Sequence, residues 1–351
     1  MNKKLQLFEH IKTAILVVLF FTTILLLYLC LNQSGNDFTI SDIIPGGRTN
    51  EIIINVGDYI KPNCFIQSKG QGKYNLSFDT TGIDRAVDEC AGHLLSSSTI
   101  SIEKSTKEEV DKVALEEDSI IITYSFSYPF DDYCKKLIEK TVESENKNIF
   151  FNAIVFSDKS KECIYLIDSA DNCYKVISGE NYYSTDRIEK EFAGKVFHDI
   201  NAENLDSLTL EIQENNLDVE PIEIEIASED LAENIFGETF DFIRKITDNI
   251  GNETYMYGYG EKRLTVYVNG DFEFKEDVAS AGESNFYKDL ETALLFDAKA
   301  IDFDGAEFKL TNVKLMGSDN YYYQFQLENG CYRITNEVMN SKVSYFRLQE
   351  Y

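Results

Sequence analysis

The stretch TYMYGYGEKRLTVYVNGDFEFK, residues 254–275, decides how the second half of the chain folds. Apolar and polar residues alternate through TYMYGYG, RLTVYV and DFEFK, the period of strands that bury one face. Asn269-Gly270 stands between two of these runs. It is the strongest hairpin signal in the sequence, because both residues tolerate the positive φ of a tight turn. The predicted element is an antiparallel meander. Upstream, SEDLAENIFGETFDFIRKI (228–246) has helical spacing, opens at a Ser228 cap and carries acids in its first turn. Downstream the order recurs: NFYKDLETALLF (285–296) reads as a helix, and EFKLTNVKL, YYYQFQL and CYRIT read as strands. Helix followed by meander, twice, predicts two small, similar α+β units at 184–280 and 281–351.

The first half mixes the same ingredients. EIIINV (51–56), YIKPNCFIQ (59–67) and YNLSF (74–78) read as strands, the last after the turn KGQGK. DRAVDECAGHLL (84–95) places Ala86, Val87, Cys90 and Leu94 on one helical face, and KEEVDKVALEED (107–118) is a polar helix. SIIITYSFS (119–127) is a strand, followed by the helix PFDDYCKKLIEKTVE, the strand NIFFNAIVF and the hairpin ECIYLID/CYKVIS. An N-terminal α+β domain over 49–183 is expected.

At the N-terminus, LFEHIKTAILVVLFFTTILLLYLCLNQ (7–33) contains nineteen residues, Thr13–Leu31, with no charge. As a helix at about 1.5 Å per residue it spans roughly 28 Å, close to a bilayer's apolar thickness of about 30 Å. No small-residue cleavage site follows, and Cys30 is preceded by the bulky Leu29, unlike a lipoprotein leader. The segment reads as a retained single transmembrane helix. Lys3, Lys4 and Lys12 precede it, opposed only by Glu9, and the first basic residue after it is Arg48. The positive-inside rule then sets a cytoplasmic tail at 1–12, a stalk at 32–48 and an extracytoplasmic bulk in the cell membrane. Mid-span, Thr22 and Thr23 are candidates for contact with a neighbouring helix, each worth about 0.6 kcal/mol. Each hydroxyl can equally bond its own i−4 carbonyl.

The chain has 33 basic and 61 acidic residues, a net charge of −28. Lys3, Lys4, Lys12 and Glu9 sum to +2, which leaves −30 for the remainder. That field excludes nucleic acid, whose binding rests on neutralised phosphates. Six cysteines follow the span, and their spacing is not that of a disulfide framework. Cys134 shares a helical face with Phe130, Tyr133, Leu137 and Ile138. Across the turn DSADN, Cys163 is expected opposite Ile177, about four residues from Cys173, too far for a bridge. Free, buried thiols are expected.

The sequence contains no H-E-x-x-H, G-x-S-x-G, C-x-x-C or Walker loop. His93 and His198 lie in unrelated contexts, and IDFDGAEF places Ala300 and Thr311 where a calcium loop needs ligands. Tyr321 and Tyr323 share one strand face, with Tyr322 on the other, as in any packed sheet. No catalytic residue, metal or cofactor is expected.

An ordered set of features resembles the YycH-type family (YycH/YycI) of membrane-anchored accessory regulators. It comprises EHIKTAILVVLFFTTILLLYL, GDYIKPNCFIQSKGQGKYNLSF, SIIITYSFSYPFDDYCKKL with FFNAIVF and CIYLID, GYGEKRLTVYVNGDFEF, and YYYQFQLENGCYRI with the closing VSYFRLQEY. In the fourth of these, Gly260, Arg263, Leu264 and Gly270 match the family's glycine-arginine-leucine strand and turn. The resemblance implies non-enzymatic regulation of a cell-wall-controlling sensor histidine kinase, WalK-like, through transmembrane and outer-domain contacts. It implies a YycI-like co-regulator as a second partner. Two other readings stand beside it: an anchored envelope binding or assembly protein, and a wall-glycan hydrolase working with paired carboxylates.

Overall fold

The first sheet is assembled from β1 (Cys64–Ser68), β2 (Lys73–Ser77), β3 (Ile100–Ser105), β4 (Ile120–Pro129), β5 (Phe150–Phe156), β6 (Cys163–Ile167), β7 (Cys173–Ser178) and β8 (His198–Asn201). Between these strands lie α1 (Ile83–Leu95), α2 (Lys107–Ala114), α3 (Phe130–Ile138) and α4 (Asp186–Phe192). The computed structural model describes residues 54–140, 148–208, 226–279, 284–301, 308–317, 320–327 and 331–350. The expected span at 13–31 with Thr22 and Thr23, the expected stalk at 32–48 and residues 302–307 lie outside the described residues. Among those described, no helix is long and apolar enough to cross a membrane.

Strand order is β3-β7-β6-β5-β4-β1-β2-β8, antiparallel throughout. The apolar run of β4 has a direct cause. Ile120 and Ile122 pack with Phe65, Ile154, Ile164 and α1 on one face, while Ile121 packs with Ile66, Val155, Tyr165 and α2 on the other. A strand covered by helices on both faces has no need to alternate. α1 buries Ala86, Val87, Cys90 and Leu94, the face expected from spacing, and α3 buries Phe130, Tyr133 and Cys134.

The second sheet is built by α5 (Ser228–Phe236) with β9 (Arg244–Thr247), β10 (Glu253–Tyr257), β11 (Lys262–Val266) and β12 (Phe272–Glu276), then by α6 (Phe286–Ala300) with β13 (Phe308–Met316), β14 (Asn320–Leu327), β15 (Tyr332–Met339) and β16 (Lys342–Glu350). The expected repeat of helix and meander is present. Its two copies join through their last strands, in the order β13-β14-β15-β16-β12-β11-β10-β9. Phe274 faces Phe346 across this seam, and both are buried under α6 with Phe296.

Three expectations change in detail. The helix drawn through 246 stops at Gly237, whose positive φ of 53° ends it; a 3-10 segment follows, and Arg244–Thr247 pairs with β10 as a strand. The N-cap is Ala227, and the Ser228 hydroxyl instead donates to the Glu253 carboxylate. The described part of EIIINV is no strand: Val56–Asp58 forms a 3-10 turn, capped by the Asn55 side chain accepting from Gly57 N–H. The expected boundaries also fall within sheets. β8 extends the first sheet past residue 183, and the boundary at 280 falls between two halves of one sheet. Residues 52–351 form one compact unit.

Cys64, Cys90, Cys134, Cys163, Cys173 and Cys331 form no disulfide, and all but Cys331 are buried. Cys163 stands opposite Ile177 and Cys173 opposite Ile167, so the two thiols sit four positions apart along the hairpin. Burial pushes the Cys64 and Cys173 thiols up to about 11 and Cys90 to about 12. In the native protein a thiol-alkylating reagent should therefore modify Cys331 well before Cys64, Cys90, Cys134, Cys163 or Cys173. Unfolding without reductant should expose all five together; mass mapping of any that stay blocked would disprove the free-thiol assignment.

Candidate functional site

A cleft lies on the α2 face of the first sheet, where that helix leaves part of β4, β5 and β6 uncovered. It encloses about 570 Å³, floored by Ile66, Ile121, Ala153 and Ile167 and rimmed by Lys107, Asp168, Asp171 and Asp206. Sequence reasoning missed it, because its rim is drawn from segments up to a hundred residues apart with no shared motif.

Its rim charges satisfy one another. The Lys107 ammonium lies 2.6 Å from Asp206 and 3.2 Å from Asp171, and the hydrogen bond to Asp206 holds its pKa above the ordinary lysine value. Asp168 caps its own turn, accepting from Ala170 N–H, Asn172 N–H and the Asn172 amide. Cys64 Sγ lies 2.9 Å from Thr123 Oγ1, and its raised pKa keeps the sulfur a thiol at neutral pH rather than a nucleophilic thiolate. Ser125 Oγ donates to Leu310 O at 2.7 Å, with no histidine against it. His93 and His198 are exposed and remote from the rim. Glycoside hydrolysis requires one cleft carboxyl held protonated. Among the described residues, burial raises the carboxyls of Asp88, Asp131, Asp289 and Asp297, which lie outside the cleft lining. The cleft offers a ligand an apolar floor and a polar, charged rim. Among the described residues no three His, Cys, Asp or Glu side chains converge as a metal site requires.

Beside the cleft, the two sheets meet through an aromatic and hydroxyl network. Asp132, in the first turn of α3, is only 5% exposed and accepts from Tyr321 Oη at 2.8 Å. Tyr287 Oη donates to the Asp132 carbonyl at 3.0 Å. A phenol has one proton, so in the 2.8 Å contact between Tyr287 and Tyr128 the Tyr128 hydroxyl is the donor. Phe286 stacks on Phe126 and meets Tyr128, Tyr321 and Tyr323 with ring centroids 5.5 to 6.5 Å apart. Burial raises the Tyr321 phenol, and the Asp132 charge raises it further, so it stays protonated as a donor. The packing role expected for Tyr321 and Tyr323 holds: both are buried, with Tyr322 half-buried on the opposite face.

The family-motif residues fall on the β10–β12 hairpins. Leu264 is fully buried, and Arg263 beside it is exposed. Gly260 closes the β10–β11 turn with its N–H donating to Tyr257 O at 3.1 Å. Gly270 has φ 87°, and its N–H donates to Tyr267 O while Tyr267 N–H donates to Asp271 O. The loop is therefore Val268-Asn269-Gly270, one residue longer than the two-residue turn the dipeptide favours. Comparisons with protein-family models, curated proteins and solved structures gave no match for this chain.

Tyr321→Phe leaves a buried carboxylate short of a donor and should destabilise by about 1–3 kcal/mol. Tyr322→Phe, on the open face, should change stability by less than about 0.5 kcal/mol. Denaturant melts of both variants would check the pair, and equal midpoints would refute the junction's role. Asp297 gives a pH signature. It is fully buried, with Asn336 Nδ2 2.9 Å from each of its oxygens, and burial holds its pKa well above the ordinary value. Its folded-state pKa is raised, so its stabilisation is complete below the unfolded pKa of about 3.9 and is lost as pH rises towards the folded value. Asp297→Asn should flatten that loss in urea melts run from pH 4 upward; an unchanged slope would count against it.

Proposed function

We propose that this chain is a non-enzymatic regulator of the YycH/YycI type. It acts on a WalK-like, cell-wall-controlling sensor histidine kinase, with a YycI-like co-regulator, from a single-pass position in the cell membrane. The observation that carries the reading is a pairing. An uncharged apolar stretch, Thr13–Leu31, precedes a body whose most perturbed ionisable groups serve packing and the junction between sheets. The entry to that body supports it further. Val56 and Tyr59 pack against the common core, and the Tyr59 ring meets Phe325 of the second sheet edge-on at 6.3 Å. A pull on the N-terminal segment is thus felt where the two sheets meet. In the membrane, Thr22 and Thr23 are the polar groups available to a partner helix. A second reading, an anchored envelope binding protein, is favoured by the cleft with its apolar floor.

Crosslinking in living cells, then membrane purification and mass spectrometry, separates the two. The native chain should capture a sensor kinase. A chain with Thr13–Leu31 replaced by a plain leucine helix should lose it. Absence of a kinase from both samples would remove the regulatory reading, and capture by both would move the contact out of the membrane.

A further inference from the structure

Among the described residues, the second sheet has helices on one face only. Residues directly opposite in antiparallel strands share a face, so the registers identify what the other face carries. One row across the eight strands holds Arg244, Arg263, Lys275 and Lys314. The adjacent row contributes Arg347, and the next contributes Arg333, while Lys309 in that row is engaged by Asn63, which immediately precedes β1 of the first sheet. Within the strands the acids on this face are Glu273 and Glu337, and Asp248, Glu261, Asp271 and Asp277 stand just beyond the strand ends. Six basic residues against two acids within the strands give +4 on a chain of −28.

Local pairing engages part of this charge and leaves part of it open. Glu273 lies 2.6 Å from Lys275, and Asp271 lies 3.9 Å from Arg347. Arg244, Arg263 and Lys314 are exposed and make no ion pair among the described residues. Between the charges stand Met256, Tyr322 and Tyr345, half-exposed, and Ile246, 51% exposed. Arginine, tyrosine and methionine are the residue types enriched in protein interfaces.

We propose that this open face docks the acidic surface of another protein. Eight strands about 4.8 Å apart make a face roughly 34 Å wide, and three rows of side chains extend it about 20 Å along the strands. The product, on the order of 700 Å², is close to the roughly 800 Å² that each partner contributes to a standard interface. A bilayer or a long anionic polymer overruns that area and meets the acidic remainder of the molecule. A second copy in two-fold pairing sets basic face on basic face. A compact acidic patch on a different protein meets neither objection. The pseudo-symmetry of the sheet agrees: the outer edge of β13 is already occupied by the first sheet, with Leu310 O bonded to Ser125, whereas all four residues of β9 are exposed.

The full chain in its native cells provides the test. A photo-crosslinking residue is placed at Thr265 or Thr335, within the face, and at Ser101 on β3 as a control. The expected result is one protein adduct from positions 265 and 335, absent from 101, with the crosslinked partner peptide rich in Asp and Glu. Combined Arg244→Glu, Arg263→Glu and Lys314→Glu should lower that adduct about tenfold, and Arg244→Lys with Arg263→Lys should preserve it. Replacing the transmembrane helix should leave the adduct unchanged, so this docking and the proposed kinase regulation fail separately. Adducts with lipid, with glycan polymer or with a second copy would overturn the proposal, as would no adduct or one indifferent to charge reversal.

Discussion

A carboxylate held away from water at the meeting of two sheets is the constraint on which the body's architecture depends. Asp132 enters the interior because α3 begins immediately where β4 ends, which leaves no loop to carry the side chain out to solvent. Once there it needs donors, since a buried charge without them is among the most destabilising features a fold can contain. The first sheet supplies only Lys135, at 3.3 Å. The Tyr321 hydroxyl from β14 completes the set, while Tyr287 from α6 satisfies the carbonyl of the same residue. Neither half of the molecule closes this polar cluster alone. Hydrophobic burial holds the halves together without direction; the Asp132 cluster fixes which tyrosine meets which helix end.

The same logic explains how the duplicated meanders are used. Two four-stranded sheets, each with one helix, would leave four edges and two part-covered faces. Joining β12 to β16 removes two edges and lets α6 cover the seam through Phe296, which meets both Phe274 and Phe346 at 5.2 Å. The outer edge of one copy is then covered by β4. The other copy keeps its edge, protected in the ordinary way by Arg244 and Lys245. Most of the exposed large apolar side chains gather on this copy: Phe242, Ile246, Ile250, Tyr259 and Val268. The repeat of helix and meander supplies two similar units, and their surroundings make them unequal.

How much of this could be read beforehand follows from where the information lies. Period and turn chemistry are local, so the helices around Cys90 and Cys134, the hairpin at 168–172 and the meander around Asn269-Gly270 were legible. So was the opposition of Cys163 and Ile177, since a turn centre fixes register. The helix extended through 246 failed because FIRKIT keeps an apolar spacing compatible with either period; Gly237 and pairing with β10 decide it. Short β3 and β8 gave too little pattern to be recognised. The cleft and the basic face were invisible for another reason. Arg244, Arg263, Lys275 and Lys314 span seventy residues, and only the strand order brings them into one row. Net charge, read as a sum, concealed the fact that one face opposes it. Thr22 and Thr23 lie outside the described residues, so their proposed contacts rest on sequence alone.

Charge segregation and the position of the entry segment together constrain how such a body can communicate. A ligand shifts a two-state equilibrium only by its differential affinity for the two states, so a docked partner matters only if docking changes something mechanical. The basic face lies on rigid, fully paired strands, and a flat sheet transmits displacement rather than absorbing it. Its β13 side is tied to the first sheet by Leu310 and Ser125, and near the same place by Lys309 and Asn63. Tyr59, a few residues after the body begins, rests on Phe325 of the adjacent β14. Load applied across the face therefore reaches the junction and the chain's entry point by one path, through β13 and β14. In the proposed regulatory reading, this path through hydroxyl bonds and stacked aromatic rings is what would couple docking to the chain's entry point.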